Sequence, residues 1–317
     1  MPHGGPSGHS HHHHHHQPEA VAGGGNDPLG RRFALGVALN LGFVGIEAAY
    51  GILANSLALL ADAGHNLSDV LGLVLAWSAT ILARRQPTGR RTYGLRKSTV
   101  MASLANAVML LVVIGAIAWE AVRRFGVPES VAATEVMIVA AIGVVINGAT
   151  ALLFLSGRRH DLNIRGAFMH MAADAGISLG VVLSALAMTA TGWLWLDPAT
   201  SLVIVFVIAI GTWGLLRDSL DLALDAVPSG IDPEAVAGFL ASQPGVTAVH
   251  DLHIWAMSTT EAALTVHLVR PGAGTDDAWL ADITETLRLR FTIPHATIQV
   301  ENGDGPEACR LAPAHVV

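Results

Sequence analysis

The chain has 317 residues, of which 52% are apolar and only 14% charged, with a positive mean hydropathy. That balance excludes an ordinary soluble enzyme, and a formal charge of −7 argues against a nucleic-acid partner. The single cysteine, Cys309, excludes an internal disulfide and suits a soluble part facing a reducing compartment.

Residues 1–29 hold His3, His9 and the run His11–His16 among Gly, Pro and Ser, so a disordered His-rich arm is expected. Six consecutive histidines are the usual form of a purification tag, while His3 and His9 also suit a native arm that collects metal. The arm has no apolar core of the kind a cleaved signal needs.

Residues 30–217 contain six stretches nearly free of charge. Each runs for about 20 residues, enough to cross a hydrocarbon core of about 30 Å as helix. The predicted spans are 33–54, 57–83, 98–119, 136–155, 166–190 and 199–216. Glu47 lies in the first, and Asp62, His65 and Asp69 lie in the second, after a short break at Asn55-Ser56. The fourth contains Asn147, the fifth His170 and Asp174, and the sixth follows Asp197-Pro198. Asn106 and Asn147 are expected as interhelical hydrogen-bond glue.

Loop charge sets the orientation. With both termini cytoplasmic, twelve Lys and Arg flank the inner ends (Arg31 to Arg217) and only Arg123 and Arg124 the outer ends. Trp193 and Trp195 then fall in the outer aromatic belt.

Residues 218–227 read as a linker. Residues 228–303 form a small cytoplasmic domain and 304–317 a tail. Asp232-Pro233-Glu234 opens a helix, with Asp as cap and Pro at the first position. Strands follow at 249–257 and 263–270, an amphipathic helix at 276–291 and a strand at 296–301. The order αββαβ predicts an α+β domain with helices on one face of a three-stranded sheet.

The chemistry concentrates on spans two and five. His65 and Asp69, and likewise His170 and Asp174, stand four apart, so each pair shares one helical face. Two such faces opposed supply two imidazoles and two carboxylates, an N/O set suited to tetrahedral Zn²⁺ and lacking the thiolates that favour Cu(I). Ionisable groups at the centre of a span cost roughly 2.5–3.5 kcal/mol each on insertion scales, and one internal His–Asp rivet does not explain the same spacing twice. Asp62 is either a gate or proton acceptor near the outer mouth or a cap for the second span. Glu47 is either a polar bundle contact or an entry group. A neutral imidazole binds Zn²⁺ and a protonated one does not, so His65 and His170 can exchange metal for protons.

The segments Ser56 to Asp69, Arg91 to Gly94, His170 to Asp174, Asp197-Pro198, Val249 to Trp255 and Thr297 to Glu301 occur in an order that resembles the cation diffusion facilitator family. The likeness is to the bacterial cobalt-zinc-cadmium resistance type, similar to animal zinc transporters, and covers residues 31–309. The resemblance implies a transporter, not an enzyme: a homodimer in the bacterial inner (plasma) membrane, exchanging Zn²⁺ for H⁺ by alternating access, with a cytoplasmic domain of ferredoxin-like fold. In that family a His-Asp plus His-Asp set goes with zinc, which His65 matches.

Some relatives hold a second site in the loop between spans two and three. Here residues 84–97 contain no His and no acid, so that site is expected to be absent, and its arginines to meet anionic lipid or a partner domain. The resemblance also makes His250, His267 and Glu301 candidate regulatory ligands, with Cys309 or His295 as a fourth, while His253 reads as a solvent-facing strand histidine. Gln299 stands where some relatives carry another His, which argues against a two-metal cluster.

The rival readings are an intramembrane metal-dependent hydrolase, a channel, and a metal-sensing membrane protein. Zinc hydrolysis wants three protein ligands, an open position and a general base, and no His-Glu-x-x-His occurs.

Overall fold

The computed structural model describes residues 28–127, 129–155, 162–272 and 276–303, with Cys309 and Leu311. Side chains are described there except at 28–40, 154, 162–164 and 167. All but the last two residues of the His-rich arm and most of the tail lie outside these. The chain divides into two compact units, Met1–Ser68 with Leu110–Ile210, and Asp69–Met109 with Gly211–Val317.

Six long helices come first: α1 Pro28–Leu53, α2 Leu57–Ala83, α3 Ser98–Gly126, α4 Ala133–Phe154, α5 Leu162–Thr191 and α6 Leu196–Ala223. Helices α2 to α6 are long and apolar enough to cross a membrane, and the described apolar segment of α1, Leu41–Leu53, is shorter. Their outer faces carry bare apolar side chains such as Trp119 (70% exposed) and Phe206 (66% exposed), which only lipid can solvate favourably.

In the first unit, α4 packs closely on α5, and α1 on α4, around a core that includes Phe43, Leu59, Val136, Val181 and Ile204. Gly143 allows this approach, because a Cβ there would stand 2.8 Å from Phe43 Cζ and 3.1 Å from Ser178 Oγ. The break before α2 is built rather than loose. Asn55 adopts φ 54°, and Arg124 donates to its backbone O and its Oδ1, both at 2.7 Å. The Asn55 amide donates to Glu129 and holds that carboxyl below its ordinary range, helped by Arg124.

Asp197, at the start of α6, caps α2. It accepts from Ser56 Oγ at 2.5 Å, Leu57 N at 2.8 Å and Ala58 N at 3.4 Å, satisfying N–H groups the first turn leaves open. The capping role considered for Asp62 is therefore filled by another carboxylate.

In the second unit, α6 continues to Ala223, so the expected linker shortens to residues 224–227. Ser219 explains the extension: it is buried and its Oγ lies 2.8 Å from Ser103 Oγ on α3. The arginine-rich loop is tied to the cytoplasmic domain, with Arg96 on Glu261 at 2.5 Å, Lys97 paired with Asp225, and Thr259 N donating to Thr99 Oγ1 at 3.1 Å. Of the two partners expected for the loop's arginines, Arg96 takes a protein carboxylate.

The cytoplasmic domain follows as α7 Pro233–Ala241, β1 Ala248–Ala256, β2 Ala262–Val269, α8 Asp277–Arg290 and β3 His295–Glu301. Asp232 and Asp276 cap the two helices through their Oδ1 atoms. The sheet order is β1-β2-β3, with β1 antiparallel and β3 parallel to β2. Leu264, Val266 and Leu268 bury one face of β2 with Val236, Leu240, Ile283 and Leu287 of the helices, as the predicted αββαβ order requires. Thr265 and His267 alternate onto the other face.

Candidate metal centres

Three of the four ligands predicted within the membrane converge. His65, His170 and Asp174 each offer a ligand atom within 4.8 Å of the others. Asp174 lies between the imidazoles, with Oδ1 at 3.6 Å from His65 Nε2 and Oδ2 at 3.7 Å from His170 Nε2. Its side chain is 1% exposed and neither oxygen has a hydrogen-bond partner among the described residues. His170 is 43% exposed, which gives the group one open side. Tetrahedral bonds of 2.0–2.1 Å set ligand atoms roughly 3.3 Å apart, so closing on an ion needs shifts of about 1 Å or less. Asp69, the fourth predicted ligand, follows His65 by one turn of α2 and begins the second unit.

A second polar layer lies one turn before His65 on α2. Asp62, fully buried, accepts from Ser178 Oγ at 2.8 Å. Asn66 Nδ2 donates to Glu47 Oε2 at 3.2 Å and stands 3.5 Å from Asp62 Oδ1. Two buried carboxylates thus share one amide, with an Arg or Lys in neither contact. The glue role expected for Asn147 is not what the structure shows: it is fully buried, yet neither Oδ1 nor Nδ2 has a hydrogen-bond partner among the described residues.

In the cytoplasmic domain His250, His267, Glu301 and Cys309 offer ligand atoms within 4.8 Å of one another. Glu301 bridges the histidines, 3.1 Å from His267 Nδ1 and 3.4 Å from His250 Nε2, and Cys309 Sγ lies 3.6 Å from the same His267 Nδ1. The buried His250 Nε2 has no hydrogen-bond partner among the described residues. An N₂OS donor set of this kind fits Zn²⁺, and the unpartnered nitrogen is aimed into it.

His295 does not join them. It begins β3, four residues before the Gln299 that pairs with His267, which places it about 13 Å along the strand. There it stacks edge-on to Tyr93 at 5.6 Å.

Asp251 was missed by sequence reasoning. Between His250 and His253, β1 spends three residues against two of β2 (His250↔His267, His253↔Thr265), and Asp251 takes φ 51°. This bulge puts both His250 and His253 on the face of His267, where strict alternation would separate them. Asp251 then reaches His253 Nε2 at 2.8 Å and His267 Nε2 at 3.5 Å, so it can orient the ring whose Nδ1 faces the cluster. The Asp between two near histidines was a signal, but only the bulge gives it that aim.

Two family profiles cover almost all of this region: a cation efflux transmembrane domain over residues 33–222 and a cation efflux protein cytoplasmic domain over 228–303. This chain belongs to the cation diffusion facilitator family. It is 35% identical to the cation efflux system protein CzcD of Alcaligenes sp. strain CT14, over 88% of this chain and 87% of that protein. It is 34% identical to the zinc transporter ZitB of Escherichia coli K12 (86% and 87%). It is 33% identical to the cadmium, cobalt and zinc/H(+)-K(+) antiporter of Bacillus subtilis 168 (82% and 85%). As a family member the chain is an integral membrane transporter and not an enzyme, which removes the hydrolase reading.

Proposed function

We propose that this cation diffusion facilitator exports Zn²⁺ from the cytoplasm in exchange for protons through a site of His65, His170, Asp174 and Asp69. The observation that carries the reading is the buried Asp174 carboxylate held between two imidazoles with no hydrogen-bond partner among the described residues. A cation satisfies all three groups at once, and by helical spacing Asp69 supplies the fourth donor. Two imidazoles and two carboxylates favour zinc; the names of the relatives CzcD, ZitB and the Bacillus antiporter support a divalent metal and, in the last, proton exchange. Glu47 and Asp62 are the proton-accepting groups next to the site, linked through Asn66.

The orientation follows the loop charge: six spans, both termini cytoplasmic and metal release to the outside. The cytoplasmic domain pairs two copies of the chain in a homodimer. There Zn²⁺ held by His250, His267, Glu301 and Cys309 acts as a regulatory ligand, with Asp251 supporting His267. Protein reconstituted in vesicles tests the transport reading. With an imposed pH gradient it should accumulate Zn²⁺ above the outside concentration, and zinc that moves only downhill rules out the antiporter.

A further inference from the structure

The Asn147 amide, fully buried on α4 without a hydrogen bond among the described residues, belongs to no centre described so far. A buried polar group left unpaired costs about 1–3 kcal/mol, and lipid around the bundle offers it no relief. Leucine has the same branching and would carry no such cost. The amide therefore calls for a partner that no described residue supplies as a hydrogen bond in this arrangement.

Its position names one. Gly143 lies against Ser178, since a Cβ on Gly143 would be 3.1 Å from Ser178 Oγ. If α4 and α5 ran parallel, the chain from residue 155 to 162 would have to return about 40 Å along the bundle, and seven peptide steps reach only about 25 Å. The helices are antiparallel. One turn beyond Gly143 on α4 is Asn147, and one turn back from Ser178 on α5 is Asp174, so these two stand at one level of facing rows. An amide with two N–H donors thus stands level with a carboxylate, and neither group has a hydrogen-bond partner among the described residues.

We propose that Asn147 is a positioning residue for Asp174 in the metal-bound state, donating from Nδ2 to the carboxylate oxygen that does not hold the ion. This rests on the reading of His65, His170 and Asp174 as the transport site. In the structure one Asp174 oxygen faces each imidazole, at 3.6 and 3.7 Å. When the three ligands close on a cation, one oxygen turns to the metal and the other is released toward α4, where the amide fixes it. Outer partners of this kind typically change metal affinity about 10- to 100-fold.

The test uses the full chain in detergent, titrated with ZnCl₂ by calorimetry, together with thermal unfolding of the metal-free protein. Asn147→Leu should leave the metal-free unfolding temperature at or above that of the parent and weaken the intramembrane zinc Kd about 10- to 100-fold. A lower metal-free unfolding temperature with an unchanged Kd overturns the proposal, because that is the signature of a residue that only rivets helices. Asn147→Asp replaces the donor by a second carboxylate. Weakening at least as large as in the leucine variant supports the proposal, whereas an equal or tighter Kd overturns it by making the Asn147 oxygen itself a ligand. Should the leucine variant fail to fold, the aspartate variant decides alone. Asp174→Asn separates the two levels: if it binds zinc like the parent, the site reading itself has failed, and if it alone loses zinc, only the role of Asn147 has.

Discussion

Replacing Asp174 by alanine separates a metal ligand from a structural ion pair, because the two roles move stability in opposite directions. Its two oxygens are buried with no hydrogen-bond partner among the described residues, so their removal from the metal-free protein should lift a desolvation cost of about 1–3 kcal/mol and leave the unfolding midpoint level or raised. In the zinc-bound protein the same change takes a buried anion from a cation, a loss of about 3–5 kcal/mol, or two to nearly four orders of magnitude in affinity. Linkage makes this readable as heat stability. Zinc at 100 times the parent Kd stabilises the parent by about 2.7 kcal/mol, and a Kd about 1,000-fold weaker leaves less than about 0.1 kcal/mol. The assay is thermal unfolding of purified protein with and without ZnCl₂, next to zinc uptake in vesicles. A variant whose metal-free midpoint drops while zinc still raises it by the parental amount would refute the assignment, and so would unchanged transport.

Zinc affinity at the intramembrane site should fall as pH falls, because each imidazole that takes a proton is lost to the metal; log Kd should approach a slope of about two per pH unit under acid conditions, read by calorimetry at several pH values. Asp197→Ala should lower the metal-free stability by about 2–5 kcal/mol, since Ser56 Oγ and the Leu57 and Ala58 N–H groups lose their acceptor together; detergent-solubilised unfolding curves check it. Gly143→Ala should cost about 1–3 kcal/mol by forcing Phe43 and Ser178 back from α4, in the same assay. His267→Ala should remove one tightly held zinc per chain from the full-length protein, counted by elemental analysis after buffer exchange, while vesicle transport at saturating zinc continues.

What was legible in the sequence was what is local on a helix or compositional along a span. The pairs His65/Asp69 and His170/Asp174 share faces because 3.6 residues make a turn, whatever surrounds them, and hydropathy marks the spans because lipid tolerates few charges. The parts that were not legible depend on contacts between distant segments. That Asp174 sits between the two imidazoles follows from how α2 and α5 meet, which no spacing encodes. The helical continuation to Ala223 rests on Ser219 meeting Ser103. In the sheet, one extra residue at Asp251 reverses the alternation from which strand faces are read, so His253 and Asp251 could not be placed from pattern alone. His295 was misplaced for a related reason: a histidine at the start of a strand and one near its partner's end look equivalent until register is known.

The antiport reading also has an electrostatic logic that the ligand chemistry alone does not give. On this reading, the zinc-loaded site carries +2 from the ion and −2 from Asp69 and Asp174, with both imidazoles neutral. Without zinc, two protonated imidazoles restore +2 beside the same carboxylates. Both states of these four ligands are neutral, so the desolvation cost of a bare double charge at the site never has to be met. A site of four carboxylates cannot match the charge of the two states without taking protons onto acids, and one of four histidines would leave the ion uncompensated. Exchange of one Zn²⁺ for two protons conserves charge whatever the ligands; the mixed set is the one in which both states of the site are also neutral.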